Sequence, residues 1–274
     1  MSGIGKVSDT LISSGVAGLD DVLSGGLRRN RSYVLEGVPG SGKTTLALQF
    51  VRAGASRREP VLYVTLSETV EELRSNAQSH GWDLDGVTLR EVMPSEEVLD
   101  PGEASTMFHL SEVELASTTQ QVIADVESLR PTCVVIDSLS ELRLLSGSPL
   151  RYRRQIMALK QYFNRSGCTV ILLDDLSALD RDTHIQSIAH GVILLEQMNP
   201  EYGADRRRLR VRKYRGVSFR GGITTTPSAL AVSRSIRVWS RPNTASPVLA
   251  PSCKAASWRS MRCLAVASSR APAR

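Results

Sequence analysis

No aspartate or glutamate follows Asp205 in this 274-residue chain, aromatic residues make up only 5%, and the four cysteines show no C-x-x-C spacing. The missing cysteine pairs exclude a zinc ribbon and a disulfide framework. Cys133 and Cys168 lie inside apolar runs, where cysteine behaves as a small hydrophobe, which predicts a reduced, cytoplasmic setting. No apolar run approaches the roughly 18 residues that a membrane span requires. The first twenty residues also lack an apolar stretch behind a basic start, so no secretory leader and no membrane partner are expected. His80, His109, His184 and His190 are scattered without the i, i+4 spacing of a metal site and are assigned no role.

The formal net charge is +6, but eight Lys and Arg fall in residues 223–274, which leaves residues 1–222 at about −2. The basic balance therefore belongs to the tail. With 41% hydrophobic residues, the chain has material for one sizeable core with an appendage.

From Ser32 onward, short apolar runs alternate with helical patterns. Tyr33 to Leu35 is followed by Thr45 to Ala53, Val61 to Leu66 and Val70 to His80. A second round has Glu112 to Leu129 helical, Cys133 to Ile136 a buried strand, Arg151 to Asn164 helical and Thr169 to Leu173 another buried strand. This alternation predicts an α/β fold with a mainly parallel twisted sheet and helices on both faces. Gly191 to Glu196 and Arg208 to Tyr214 read as further strands, the latter alternating cations with Leu209 and Val211 as an exposed or antiparallel edge does. Asp100 to Leu110 has no clear period and is expected to be a loop, and from Thr224 the pattern dissolves.

Gly37-Val38-Pro39-Gly40-Ser41-Gly42-Lys43-Thr44 matches G-x-x-x-x-G-K-[ST] and falls between a strand and a helix, as a phosphate loop requires. Glycines let backbone N–H groups converge on phosphate oxygens, and the following helix, through Thr45, adds its positive end. Lys43 reaches the β and γ phosphates of ATP, and Thr44 offers a hydroxyl to Mg²⁺. The competing reading, a plain glycine turn, does not account for the strand before it and the helix behind it.

Cys133 to Ile136 ends in Asp137, which would stand beside the loop as a second metal residue, supported by a hydrogen bond from Ser138. Apolar strands also end in aspartate for turn or capping reasons, so this assignment leans on the loop. Glu68 follows the strand Val61 to Leu66 at the edge where ligands of open α/β sheets gather, and it could polarise the attacking water; its alternative is an acid near a helix start. Asp174 and Asp175 close the strand Thr169 to Leu173 and rank second, as a nucleotide sensor or an ordinary acidic loop start.

With these residues in place, the chain resembles the KaiC family of RecA-like ATPases over about residues 8 to 222. The anchors are Gly15-Val16-Ala17-Gly18-Leu19-Asp20, Leu23-Ser24-Gly25-Gly26-Leu27, Tyr63-Val64-Thr65-Leu66-Ser67-Glu68-Thr69 and Lys213-Tyr214-Arg215-Gly216. The resemblance implies a homo-oligomeric, hexameric ring with ATP between subunits, in which Lys213 and Arg215 reach a neighbour's γ-phosphate. Such cations stabilise the transferring charge. Without the resemblance, Arg206 to Arg215 reads as a solvated edge strand or a nucleic-acid patch. Two departures bear on activity. The family usually has two adjacent glutamates where this chain has Ser67 and Glu68, and Phe219 stands where the family's circadian clock member typically has a histidine. No serine-threonine phosphorylation pair is present near the domain end, so autokinase activity does not carry over.

After Gly221-Gly222 the family continues with a tyrosine, a histidine and an acid, whereas this chain reads Ile223-Thr224-Thr225-Thr226. Codons for tyrosine-histidine-aspartate-tyrosine read one base late yield Ile, Thr, Thr, Thr. Reversing the shift gives a plausible domain end over Ala231 to Ala245, and Cys263 to Ser269 then echoes Leu23 to Leu27, as the start of a second KaiC repeat would. The expectation is therefore a RecA-like ATPase domain over 1–222 and an irregular basic tail over 223–274 produced by a frameshift in a two-domain parent. A frameshift would deprive the domain of its last two strands and expose a sheet edge. The alternative is a genuine basic, disordered extension that binds nucleic acid or another acidic surface.

The function expected is ATP hydrolysis in a regulatory or signal-transducing subunit, with signalling proteins as partners. Two alternatives stand beside it: a DNA-binding recombination mediator like RecA or RadA, and a serine/threonine autokinase. The first shares the fold, but residues 1–222 are slightly acidic and lack a zinc ribbon or helix-hairpin-helix start, so nucleic acid is not favoured.

Overall fold

The computed structural model describes residues 11–92, 107–176, 183–198, 206–216, 219, 224–226 and 237–238, all within residues 1–240. The strands are β1 (Leu11–Ile12), β2 (Leu27–Arg28), β3 (Ser32–Gly37), β4 (Val61–Thr65), β5 (Val87–Glu91), β6 (Cys133–Asp137), β7 (Thr169–Asp175), β8 (Gly191–Met198), β9 (Arg206–Tyr214), β10 (Thr224–Thr226) and β11 (Arg237–Val238). The helices are α1 (Ala17–Val22), α2 (Lys43–Ser56), α3 (Val70–Ser79), α4 (Met107–Leu129), α5 (Leu139–Ser146), α6 (Pro149–Ser166) and α7 (Thr183–Ile188).

Among the described residues, nine strands form one sheet in the order β11-β10-β9-β8-β3-β7-β6-β4-β5, and β1 and β2 form a small antiparallel pair. From β8 to β5 all neighbours run parallel, while β9, β10 and β11 continue antiparallel. This is the expected α/β fold with a mainly parallel sheet. The central strands are apolar on both faces because helices cover both.

Successive side chains of a strand point to opposite faces, and the core divides accordingly. Tyr33, Leu35, Tyr63, Val135 and Ile171 pack with Leu46, Phe50 and Val51 of α2 and Leu73 of α3. Val34, Leu62, Val134, Val170 and Val192 pack with Val122 of α4, Leu142 of α5, Ile156 and Phe163 of α6 and Ile185 of α7. Cys133 and Cys168 are free, buried and in opposite halves of this core. Burial pushes both thiols up to about 11, so they are inert small hydrophobes.

Several elements differ from the sequence reading. Helix α4 begins at Met107, inside the stretch read as loop up to Leu110, whereas residues 100–106 lie outside the described residues. Strand β5 was not anticipated: Val87 alone of its five residues is buried, because it is the outer strand and one flank is solvated. Strand β9 is antiparallel, as its alternation suggests, but it is not the edge. The β-branched Thr224–Thr226 segment pairs with Leu209, Arg208 and Arg207, and Arg237–Val238 adds a further short strand, where no pattern was expected. Among the described residues, no helix is long and apolar enough to cross a membrane.

Helix α3 starts with a capping box. Thr69 Oγ1 accepts from the Glu72 N–H at 3.2 Å, and Glu72 Oε2 accepts from the Thr69 N–H at 2.8 Å. Thr69→Ala is expected to cost about 1 kcal/mol. A thermal melt should show the midpoint falling by about 2–4 °C.

Candidate nucleotide site

Strand β3 is buried throughout and turns into the phosphate loop at its carboxyl end. A Cβ on Gly37 would stand 2.8 Å from the Leu195 carbonyl oxygen of β8, so only glycine lets the loop leave between the strands. Gly42, the N-cap of α2, has φ +99°, a conformation that costs other residues strain but not glycine. No side chain caps α2, which leaves its first N–H groups directed at the loop as an anion cradle.

Lys43 is only 8% exposed. Its Nζ donates to the carbonyls of Gly37 and Val38 at 3.0 and 3.1 Å and pairs with Asp175 Oδ1 at 2.6 Å. Asp137, at the end of β6, is 5% exposed, and its Oδ2 accepts from Tyr63 Oη at 2.6 Å and Thr44 Oγ1 at 3.1 Å. Burial raises the Asp137 carboxyl above its ordinary range, although these two donors and Lys43 stabilise the anion. Burial, reinforced by Asp137, also holds the Tyr63 phenol protonated and so available as the donor.

Thr65 fixes the turn that carries Glu68: its Oγ1 accepts from the Glu68 N–H at 3.0 Å and donates to the Glu68 carbonyl at 2.7 Å. Partial burial raises the Glu68 carboxyl, and the negative charges of Asp137, Glu72 and Asp175 raise it further. The cleft of about 390 Å³ is lined by Pro39, Gly40 and Gly42 to Thr45 of the loop, by Ser67, Glu68 and Asp137, and by Asn76, His80, Asp175 and Arg207.

The structure therefore brings Lys43, Thr44, Thr45, Asp137 and Glu68 together around the phosphate loop. The hydroxyl of Thr44 and the carboxylate of Asp137 are hard oxygen donors of the kind Mg²⁺ takes, so the pair fits that ion. Lys213 and Arg215 are elsewhere. Register places Lys213 opposite Val192 and Val192 opposite Val34, three residues down the sheet from Gly37, or about 10 Å, and two strands across. The Arg215 N–H bonds the His190 carbonyl, and the His190 N–H the Ser32 carbonyl, which puts Arg215 at the far end of β3 from the loop.

Other assignments change. The Ser138 Oγ is buried without a hydrogen-bond partner among the described residues, so it does not support Asp137; Tyr63 and Thr44 do. Of the two second-rank acids, Asp175 holds Lys43, while Asp174 is bound by Arg143 at 2.9 and 3.1 Å. His80 lines the cleft and stacks on Trp82 with ring centroids 4.7 Å apart. Burial and the nearby Arg31, Arg28 and Arg215 push His190 down to about 4, which keeps it neutral. The side chains of His109 and His184 lie outside the described residues, and no His, Cys, Asp and Glu cluster suited to a metal occurs among those described. Tyr63 was read only as part of a family anchor and Asp175 only as a second-rank acid, and Arg207 was given no site role of its own; strand register is what brings all three to the cleft or its aspartate.

Comparison with known proteins agrees with this geometry. The family model described as "ATPase: KaiC" matches residues 12–225. A UPF0273 protein of Methanopyrus kandleri is 31% identical over 225 residues, covering 76% of this chain and 84% of that protein. A UPF0273 protein of Pyrococcus horikoshii is 29% identical over 217 residues, covering 76% and 86%. The circadian clock oscillator protein KaiC of Prochlorococcus marinus is 27% identical over 219 residues, which is 77% of this chain but only 42% of that protein. A phosphate loop with its lysine, hydroxyl and strand-end aspartate in place, together with a match over most of the chain, leads to one assignment: this chain belongs to the KaiC family of ATPases.

Proposed function

We propose that the protein binds Mg-ATP at the phosphate loop and hydrolyses it to ADP and phosphate as one subunit of a homo-oligomeric, hexameric ring. The observation that carries this reading is the convergence of Lys43, Thr44 and Asp137, with Glu68 on the same cleft. Water attacks the γ-phosphorus in line, the bond to the β–γ bridging oxygen breaks, and Glu68 orients the water and takes its proton. Lys43 neutralises charge on the β and γ phosphates. Thr44 and Asp137 would hold Mg²⁺, whose charge draws electrons from the phosphate oxygens. The placement of Lys213 and Arg215 supports a ring, since within one chain neither stands near the loop, and in a ring each would serve the next subunit's γ-phosphate.

The kinship with a clock oscillator protein supports a regulatory or signal-transducing output through protein partners. Phosphate release from Mg-ATP, measured with particle mass, tests the proposal. A monomer that hydrolyses ATP would refute the ring, and an assembled ring that binds but never releases phosphate would refute the hydrolysis.

Glu68 gives a pH signature. A base must be ionised, and a carboxyl raised above its ordinary 4.5 loses activity as pH falls through that higher value. The acid limb of kcat/KM should therefore lie above the ordinary glutamate range. Glu68→Gln should lower kcat by about 10²–10⁴-fold and remove the limb; a limb that persists unchanged in the variant would assign it to another group.

A further inference from the structure

The C-terminal end of α7 presents three successive carbonyls, and cations from other elements hold all three. Lys213 Nζ donates to the Gln186 and Ser187 carbonyls, Arg215 Nη2 to the Ser187 carbonyl at 2.8 Å, and Lys160 Nζ of α6 to the Ile188 carbonyl at 2.6 Å. The unsatisfied carbonyls of a helix end carry partial negative charge, which suits them to gather cations that would otherwise repel one another. Each of Lys160 and Lys213 is held below the ordinary lysine range, by burial first and by neighbouring cations next, which shows how closely these groups are packed.

The same helix also reaches the strand that leads into the phosphate loop. Gln186 Nε2 donates to Glu36 Oε2 at 3.0 Å, and Arg212 Nη1 of β9 donates to the same oxygen at 3.3 Å. Glu36 is buried on β3 and directly precedes Gly37, whose carbonyl accepts from Lys43. One residue thus touches both sites: the side chain of Gln186 holds the strand that enters the phosphate loop, and its carbonyl holds Lys213.

We propose that Gln186 is a positioning residue that couples the two halves of each subunit, so that the phosphates held at a subunit's own loop set the placement of the cations it offers to the next subunit. This rests on the cross-subunit reading of Lys213 and Arg215 given above. A contiguous chain of hydrogen bonds transmits such coupling only when breaking it changes the remote function, and that is measurable.

The test uses the full chain. Gln186→Met keeps the length of the side chain and removes the donor. ATP affinity, read with a fluorescent ATP analogue, should stay within about threefold, while kcat falls about tenfold. A double-mutant cycle with Lys213→Ala separates positioning from general loosening. If Gln186 acts through Lys213, Gln186→Met should have almost no further effect on kcat in the Lys213→Ala background. A merely structural role would lower kcat by the same factor in both backgrounds, which would overturn the proposal. The reciprocal swap Glu36→Gln with Gln186→Glu retains an amide-carboxylate bond and should restore kcat to within about threefold of the parent; it also serves if Gln186→Met does not fold. Should Lys213→Ala lower kcat while Gln186→Met leaves it unchanged, the positioning role fails and the cross-subunit reading stands. If Lys213→Ala leaves kcat unchanged, both fail.

Discussion

Lys43→Ala is expected to abolish retention of ATP, with Kd rising at least about 100-fold, equivalent to roughly 2.7 kcal/mol. The ammonium is enclosed by the Gly37 and Val38 carbonyls and Asp175, so it is pre-placed at the head of the loop rather than recruited from solvent. Charge-assisted bonds to phosphate are worth about twice a neutral hydrogen bond. Its removal also leaves Asp175 facing the phosphates without a counter-charge, so attraction turns to repulsion at the same point. Asp175 keeps about a third of its side chain exposed, so the variant should fold. Binding of a fluorescent ATP analogue reads the effect, and wild-type affinity in the variant would remove the phosphate loop from the nucleotide site.

Arg215→Ala should behave in the opposite way. Its own loop is untouched, so ATP affinity should remain within about threefold, while kcat falls on the order of 10³-fold or more, the range of a cation supplied in trans to a transferring phosphoryl group. Arg215 is exposed and its side chain donates to the Ser187 carbonyl, so its loss should not unfold the chain. Mixing gives the decisive measurement. A Lys43→Ala subunit retains Arg215, and an Arg215→Ala subunit retains a working loop. Neither variant should release phosphate alone, and a mixture should regain part of the activity at interfaces where the intact loop meets the intact arginine. No recovery on mixing, or equal loss of ATP binding in both variants, would reject the ring geometry.

The phosphate loop was legible in the sequence because its chemistry is local. Gly37, Gly42, Lys43 and Thr44 lie within eight residues, and the strand before them and the helix behind them follow from periodicity. Asp137 and Glu68 were legible at one remove, as acids just past apolar strands that a parallel sheet aligns at one edge. Strand β5 was hidden because its single buried residue gives no strong alternation, and the start of α4 because Met107 to Leu110 lacks a clear period.

The kind of fold and the phosphate-loop motif are written along the chain, since each depends on neighbours a few positions away. Which remote groups join them is not. Tyr63 and Thr44 rather than Ser138 hold Asp137, Asp175 rather than Asp174 holds Lys43, and Gln186 links Glu36 to Lys213. These choices follow from strand register and from side chains alternating between faces, where a shift of one residue would reverse every partner. The same cause separates Lys213 and Arg215 from their own phosphate loop: β9 returns antiparallel beside β8 and carries its last residues to the far end of the sheet. In the proposed ring, that return leaves a neighbouring subunit as the place for those cations to act.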